Sequence, residues 1–555
     1  MKGYAAGLAV IVAMVSIAAG SASAQTHEPY FQSLTQLQTE MRQGKLTAVD
    51  LTRDYIQRIK ALDQGPHGVN AVILVNPNAL KVAAERDRAR KAGKAHGLLF
   101  GIPVLVKDNM DTHDIATTAG SLALEGPPPA QDSTVVARLR AAGAIILGKT
   151  NLSEWANFRS THSTSGWSGV GGLTNNPYVL PRNACGSSSG SGAAVSAGFS
   201  AVALGTETDG SLTCPSSVNG IVDIRPTLGL VSRAGIVPIS HSQDDPGPMA
   251  RSVADAAAVL TVLAGNDPRD PATANADKHK TNYTKFLKRG KLKGKRIGVI
   301  CGLAGRDPRV LGVLDHSVAA LRRAGATVMA VKFPNRDKYG KDEFTVLLYE
   351  YKHDLNAYLK TRKGLKVKSL ADIIAFDKAH ARQEMPWFGQ DIMTMAEAKG
   401  PLSDPEYKKA LAEAKKMTGP DGIDAALKAH HLDALMAPAS GPAWTTDLVN
   451  GDHVGAGGDS PAAVAGYPSI TVPAGNIHGL PMGMTFFAGK WSEPTLIEIG
   501  YDFEQDTRAR IRPHFLAHAP LSASVPTLAQ IQGDAPPAIP ADKILPICPD
   551  NLQGG

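Results

Sequence analysis

Cys185-Gly-Ser-Ser-Ser-Gly-Ser-Gly-Ala-Ala-Val195 and, further on, Gly205-Thr-Glu-Thr-Asp-Gly-Ser211 are the stretches on which the reading of this chain turns. Small residues packed this densely permit close backbone approach and unusual φ/ψ values. A flexible Gly/Ser linker has the same composition, but the apolar run 193–204 follows at once and needs burial. An ordered site at a buried strand and helix is therefore expected here.

Three chemistries compete for the stretch. A phosphate-binding P-loop needs Gly-Lys-Ser/Thr at its end, and Gly190-Ser191 has no lysine. A dinucleotide fingerprint needs a small third residue, and Val195 follows instead. Gly186-Ser-Ser188-Ser-Gly190 matches the G-x-S-x-G nucleophile elbow of α/β-hydrolases, with Ser188 as nucleophile and His241, His430 or His431 as its base.

Outward from this segment, strand-like and helix-like patterns alternate without an internal repeat. Thr47-Ala-Val-Asp50 reads as a capping box, after which Leu51, Tyr55, Ile59 and Leu62 share one helical face. Short apolar runs at 70–75, 100–106, 144–147, 201–204, 220–224, 295–300, 326–331, 432–436 and 469–472 have strand length, and 133–142 reads as a helix ending at Gly143. The pattern predicts an α/β class with a large mixed β-sheet core covered by helices on both faces. Residues 337–424 are rich in Lys, Glu, Ala and Leu at helical spacing, which predicts a helical insertion. Residues 516–555 carry seven prolines and no lasting periodicity, and read as a loosely structured Pro/Ala-rich tail.

Lys2, an apolar run over 4–20 and Ala22-Ser23-Ala24 form a signal-peptide pattern over residues 1–24. A mature chain starting near Gln25 in a periplasmic or secreted location is expected, with no membrane anchor after cleavage. The formal charge of +7 is spread thinly, without a basic block. Together with few aromatic residues, this argues against nucleic acid as a partner. Cys185, Cys214, Cys301 and Cys548 show no C-x-x-C spacing. An oxidising compartment allows disulfides without revealing the pairing, and Cys185 and Cys214 read as small packing residues. His162, His241 and the His430-His431 pair lack metal-ligand spacing, so neither metal nor cofactor is expected. Trp155, Phe158 and Trp167 suit either an acyl pocket or the core.

Residues 187–192 and 205–211, followed by Pro226-Thr-Leu-Gly-Leu-Val-Ser-Arg-Ala-Gly235, strongly resemble the amidase signature family. Upstream, Gly101-Ile-Pro-Val-Leu-Val-Lys107-Asp-Asn109 is similar to that family's lysine-bearing strand. The likeness spans about 30–515, within an expected domain of 25–515. It is nearest to the bacterial peptide amidases through 205–211 and through Ile239-Ser-His-Ser-Gln-Asp-Asp-Pro-Gly-Pro-Met249.

The resemblance implies the amidase signature fold and a serine-type amidase with a Ser-cisSer-Lys triad. Ser211 matches the nucleophile, Ser187 the bridging serine after a cis peptide bond, and Lys107 the base. The backbone N–H groups of Thr208, Asp209 and Gly210 match the oxyanion donors. A serine hydroxyl needs a neighbour to take its proton, and burial next to hydroxyls would free a lysine amine to do so. Asp209 replaces a more usual Gly, and as a residue that tolerates positive φ it preserves the turn. Asp223 and Arg225 stand where a Gly and a Lys are usual. The implied substrate is a small-molecule or peptide amide, notably a peptide C-terminal amide. Rival readings are the glutaminase subunit of a tRNA-dependent amidotransferase, the α/β-hydrolase-like esterase built on Ser188, and an inactive secreted binding protein.

Overall fold

The computed structural model describes residues 28–519 apart from 66, 337 and 459, together with 539–540 and 543–548. The leader expected over 1–24 lies outside the described residues. The strands are β1 (Val72–Val75), β2 (Pro103–Lys107), β3 (Ile145–Thr150), β4 (Trp167–Ser168), β5 (Gly172–Leu173), β6 (Val202–Glu207), β7 (Val222–Arg225), β8 (Asp245–Ala250), β9 (Arg296–Ile300), β10 (Thr327–Val331), β11 (Ala434–Pro438), β12 (Ser469–Ile477) and β13 (Leu480–Phe487).

Eleven strands form one sheet in the order β1-β3-β2-β6-β8-β7-β12-β13-β11-β9-β10, while β4 and β5 pair with each other. Strands β3, β2 and β6 run parallel, as do β11, β9 and β10. The ladders from β6 through β8, β7, β12 and β13 to β11 are antiparallel. The sheet is therefore mixed, as the alternating pattern predicts. Every residue of β2, β3, β6, β7 and β8 is buried. Alternate side chains of a strand point to opposite faces, so both faces are covered.

The expected apolar runs coincide with β1–β3, β6, β7 and β9–β12, and the helix Ala48–Leu62 begins where the cap is read: Thr47 Oγ1 accepts from the Asp50 N–H at 3.0 Å. Besides the short β4 and β5 pair, two strands of the eleven-stranded sheet, β8 and β13, were not expected. β13 returns from β12 through His478 and Gly479, both at positive φ, which is the backbone of a tight hairpin turn. β8 contains Pro246 and Pro248, which argue against an inner strand because proline cannot donate to a ladder. Both lie within the β6 ladder, opposite Thr206 and Leu204, but beyond the β7 ladder, which reaches β8 only at Ala250 and Met249.

Residues 340–424 are mostly helical, with Gly340–Thr361, Leu370–Ala379, Asp391–Glu397 and Pro405–Thr418 as the main segments. Leu347, Tyr351, Leu355, Leu359, Ile373 and Met393 pack with Leu124, Trp155 and Phe158 in a second hydrophobic core. Among the described residues, no helix is long and apolar enough to cross a membrane.

The described parts of the tail differ from the loose segment expected. Leu516 exchanges backbone hydrogen bonds with Tyr178 and Leu180 at 3.1 and 2.9 Å. Cys548 is buried and disulfide-bonded to Cys301, 247 residues away in sequence, and the Ile547 N–H donates to Asp315 at 2.9 Å. A covalent tie of this range has no periodicity for a sequence reading to detect.

The Gly/Ser segment forms the buried helix Ser189–Ala197. A Cβ at Gly190 would stand 2.3 Å from the Ala71 carbonyl oxygen and 2.5 Å from that of Asn151, and neither backbone can retreat cheaply. Gly190→Ala is expected to destabilise the fold by about 2 kcal/mol or more, read as a lowered denaturant midpoint; an unchanged midpoint contradicts this packing.

Candidate active site

Lys107 ends β2, next to β6 in the sheet, and has no exposed surface. Its Nζ lies 2.7 Å from Ser187 Oγ, 3.0 Å from Ser188 Oγ, 2.8 Å from Thr206 Oγ1 and 3.3 Å from the Thr206 carbonyl oxygen. Asn109 Nδ2 donates to the same Thr206 hydroxyl at 2.9 Å. None of these neighbours carries a charge. Burial dominates and pulls the amine down from 10.5 to about 7, against the weaker upward pull of Asp244 and Glu207. That displacement amounts to roughly 5 kcal/mol against the ammonium form.

Lys149 provides an internal contrast. It is equally buried, but Asp108 Oδ1 lies 3.3 Å from its Nζ, and it donates to the Met110 carbonyl and the Thr117 hydroxyl at 2.6 and 2.8 Å. A carboxylate partner favours the charged form. Of these two buried lysines, Lys107 is the one whose hydrogen-bond partners are three hydroxyls and a carbonyl, with no carboxylate among them.

The peptide bond Gly186–Ser187 is cis. Ser187 is fully buried, and its carbonyl accepts from the Ser153 N–H at 3.1 Å. The Ser188 N–H donates to the Ser211 carbonyl at 3.2 Å, joining the two glycine-bearing segments. Ser188 Oγ donates to the Thr206 carbonyl at 3.0 Å and accepts from the Thr206 N–H at 3.2 Å, so this hydroxyl is tied to β6. Ser211 is 7% exposed, whereas Ser188 is wholly enclosed. Cys185 and Cys214 are disulfide-bonded and not the unlinked packing residues expected. They sit just before Ser187 and just after Ser211, so the bond links both serine segments; their 29-residue separation gave no sign of it.

Thr208, Asp209 and Gly210 form the turn between β6 and the helix Thr213–Val218. The left-handed residue is Gly210, at φ +75°, with open space where a Cβ would stand. Asp209 is not at positive φ, so its tolerance for that conformation is not what preserves the turn. Its Oδ2 accepts from Ser460 Oγ at 2.7 Å, and burial together with the nearby Glu343 carboxyl raises its pKa well above the usual range. Thr208 Oγ1 donates to Asp244 Oδ1 at 2.6 Å. Burial raises Asp244 to about 6.

Two further site residues have no role assigned from the sequence, although Arg225 stands out there as a departure from the family pattern. Glu207 Oε2 accepts from the Leu212 and Thr213 N–H groups at 2.7 and 2.9 Å, immediately after Ser211. Its Oε1 faces Arg225 Nε at 3.2 Å. Arg225 is fully buried, lies 3.4 Å from Asp245, and donates to the Tyr467 and Gln243 carbonyls at 2.8 Å each. Glu207 and Arg225 thus hold the start of the helix behind Ser211. The available signal was a charged residue inside each of two apolar strands, which only a buried partner could explain.

Of the other candidates, His241 borders the cavity that reaches Thr206, and the rest lie elsewhere. His241 contacts Asp354, and the His430 and His431 carbonyls accept from Arg296. His162 is bonded to Thr161 at the surface. Trp155 and Phe158 belong to the second core, and Trp167 packs edge-on against Phe388. A cavity of about 450 Å³ is lined by Asn109, Thr206, Thr208 and Asp244 and bounded by Tyr358 and Arg362. Its walls include none of Lys107, Ser187 and Ser211, so it approaches the amine through Asn109 and Thr206.

A family model described as Amidase matches residues 50–497. The chain belongs to the amidase family. A probable amidase of Arabidopsis thaliana is 42% identical over 497 residues, 87% of this chain and 92% of that protein. The crystal structure of the native peptide amidase from Stenotrophomonas maltophilia superposes with a TM-score of 0.85 at 52% identity, covering 88% of this chain and 99% of that one. The matching subunit of a Cyanothece glutamyl-tRNA(Gln) amidotransferase is 33% identical over 86% of this chain and 98% of its own length. This amidase is an amidohydrolase acting on amides, with a peptide-amidase-like fold.

Glu207→Gln is expected to cost this amidase about 3 kcal/mol, since it strips a buried guanidinium of a charged partner, and to lower kcat with it. Denaturant unfolding and ammonia release measure the two; an unchanged midpoint contradicts the role given to this pair.

Proposed function

We propose that this amidase is exported and hydrolyses carboxylic amides or peptide C-terminal amides through Ser211, Ser187 and Lys107, by way of an acyl-enzyme. The observation that carries the reading is the 2.7 Å contact between the enclosed Lys107 amine and Ser187 Oγ. In its neutral form the amine takes the Ser187 proton while Ser187 takes that of Ser211, and the Ser211 oxygen attacks the amide carbonyl. The backbone N–H groups of Thr208, Asp209 and Gly210 stabilise the oxyanion. The proton returns along the same relay to the departing nitrogen, the C–N bond breaks, and ammonia leaves from a primary amide. Water then adds to the Ser211 ester, giving up its proton to the relay, and the acid is released as Ser211 is restored.

The name of the 52%-identical Stenotrophomonas structure supports peptide amides as the substrate class. The leader pattern of 1–24 and the two disulfide-bonded pairs support export, because such bonds persist in oxidising compartments. The likeness to the glutamyl-tRNA(Gln) amidotransferases favours a second reading, a glutaminase within a cytoplasmic complex. Recovery of the activity from the periplasmic fraction in a protein beginning at Gln25 separates the two.

The deciding experiment is ammonia release from aliphatic, aromatic and peptide amides by that mature form. Ser211→Ala and Lys107→Ala are expected to lower kcat by roughly 1000-fold or more, with Ser187→Ala also severe. Near-normal kcat in Lys107→Ala overturns the relay. The pH profile provides a second prediction. Lys107 accepts a proton only when neutral, so kcat/KM falls about tenfold per pH unit below about 7 and levels off above it. A profile flat to pH 5 contradicts the assignment.

A further inference from the structure

Among the described residues, two groups of side chains have the composition and proximity to hold a metal ion. In the first, His113, Asp114 and Asp132, the place of a cation is taken: Arg140 lies 2.6 Å from Asp114 and 3.0 Å from Asp132. The second is His241, His353 and Asp354, where His241 Nδ1 lies 2.8 Å from Asp354 Oδ2 and His353 Nδ1 lies 2.8 Å from Asp354 Oδ1. The two imidazoles flank one carboxylate, and the three ligand atoms lie within 4.8 Å of one another.

We propose that His241, His353 and Asp354 bind a divalent transition-metal cation that fastens the helical insertion to the loop beside the nucleophile turn. Two imidazole nitrogens and one carboxylate suit zinc or a neighbouring ion, and are poor ligands for calcium or magnesium, which take oxygen. Tetrahedral zinc with bonds of about 2.0–2.2 Å separates its ligand atoms by about 3.3 Å. A cation entering here binds both Nδ1 atoms, each neutral ring then carrying its proton on Nε2 and any second proton passing to solvent, opens each contact slightly, and takes water as its fourth ligand. His241 and His353 keep side-chain exposures of 43% and 59%, which leaves an entry path.

The environment of His241 is an independent indication. Its second nitrogen, Nε2, lies 3.4 Å from Glu350 Oε1. Glu350 is itself fully buried and fixed by Ser240 Oγ, the Ser242 N–H and Tyr407 OH at 2.5, 3.0 and 2.6 Å. A ring that offers one nitrogen to a metal and its other N–H to a held carboxylate is the usual arrangement around metal-ligating histidines. The His241 N–H also donates to Asp354 at 2.9 Å, and its carbonyl accepts from Arg233, which Asp270 holds.

The site joins two parts of the chain. His353, Asp354 and Glu350 lie on the helix Gly340–Thr361, whereas His241 lies on the loop whose Asp244 accepts from Thr208 Oγ1. Sequence spacing could not show this, because the two histidines are far apart along the chain.

Titration of metal-free, untagged protein with ZnCl2 at pH 7.5, followed by calorimetry, tests the proposal. One equivalent is expected to bind with Kd of about 10 µM or tighter and to raise Tm by a few degrees. His353→Ala is expected to weaken binding at least tenfold while leaving ammonia release without zinc unchanged, and His113→Ala to bind as the parent does. Absence of binding at about 100 µM zinc, undiminished binding in His353→Ala, or loss of it in His113→Ala overturns the site.

Discussion

An amine enclosed in protein without a carboxylate beside it is held against the preference of its charged form for water. Lys107 is such a group: its contacts are three hydroxyls and a carbonyl, and burial, outweighing the upward pull of Asp244 and Glu207, brings it to about 7. The surrounding structure serves to maintain that condition. β2 is covered on both faces, so no water reaches the amine from the sheet, and Thr206 and Ser188 satisfy its N–H groups without supplying a counter-charge. Placing Asp108 against Lys149 instead keeps the adjacent carboxylate from neutralising the effect. A carboxylate within about 4 Å of Lys107 would return its pKa toward that of an ordinary lysine.

The sheet order makes this arrangement possible. β2 and β6 are neighbours although β3, β4 and β5 intervene in the chain, and the helix Ser189–Ala197 precedes β6. That helix has glycine at position 190 because backbone atoms of Ala71 and Asn151 lie where a side chain would stand. Close approach delivers Ser187 to the end of β2, and the Ser188 N–H, the Cys185–Cys214 bond and the Glu207 carboxylate hold the Ser211 segment against it. Positioning is thus distributed over backbone, covalent and ionic contacts.

The helical section is integral to the site rather than an ornament on it. Its apolar faces build a second core with Trp155 and Phe158, and Glu343 and Glu350 bring carboxyl groups toward Asp209 and His241. Burial raises the pKa of Asp209, and the neighbouring Glu343 carboxyl raises it further. The turn behind Ser211 is therefore sensitive to how this section is docked.

Much of the architecture was legible along the chain. Apolar runs of strand length lie at nine of the strands because burial on both faces selects continuous apolar residues, and the cap at Thr47 rests on local chemistry, whereas the positions given to Lys107, Ser187 and Ser211 come from the resemblance to the amidase signature family. β8 was illegible because its prolines contradict strand propensity, although both sit within the β6 ladder beyond the end of the β7 ladder. The two disulfides, the Arg225–Glu207 pair and the His241–Asp354–His353 cluster were equally hidden, because each joins residues that are distant in sequence. Composition and period determine which segments are buried and what chemistry they carry; which buried groups face one another depends on the order of strands in the sheet, and that order, with the electrostatics it creates around Lys107, was decided only by the tertiary structure.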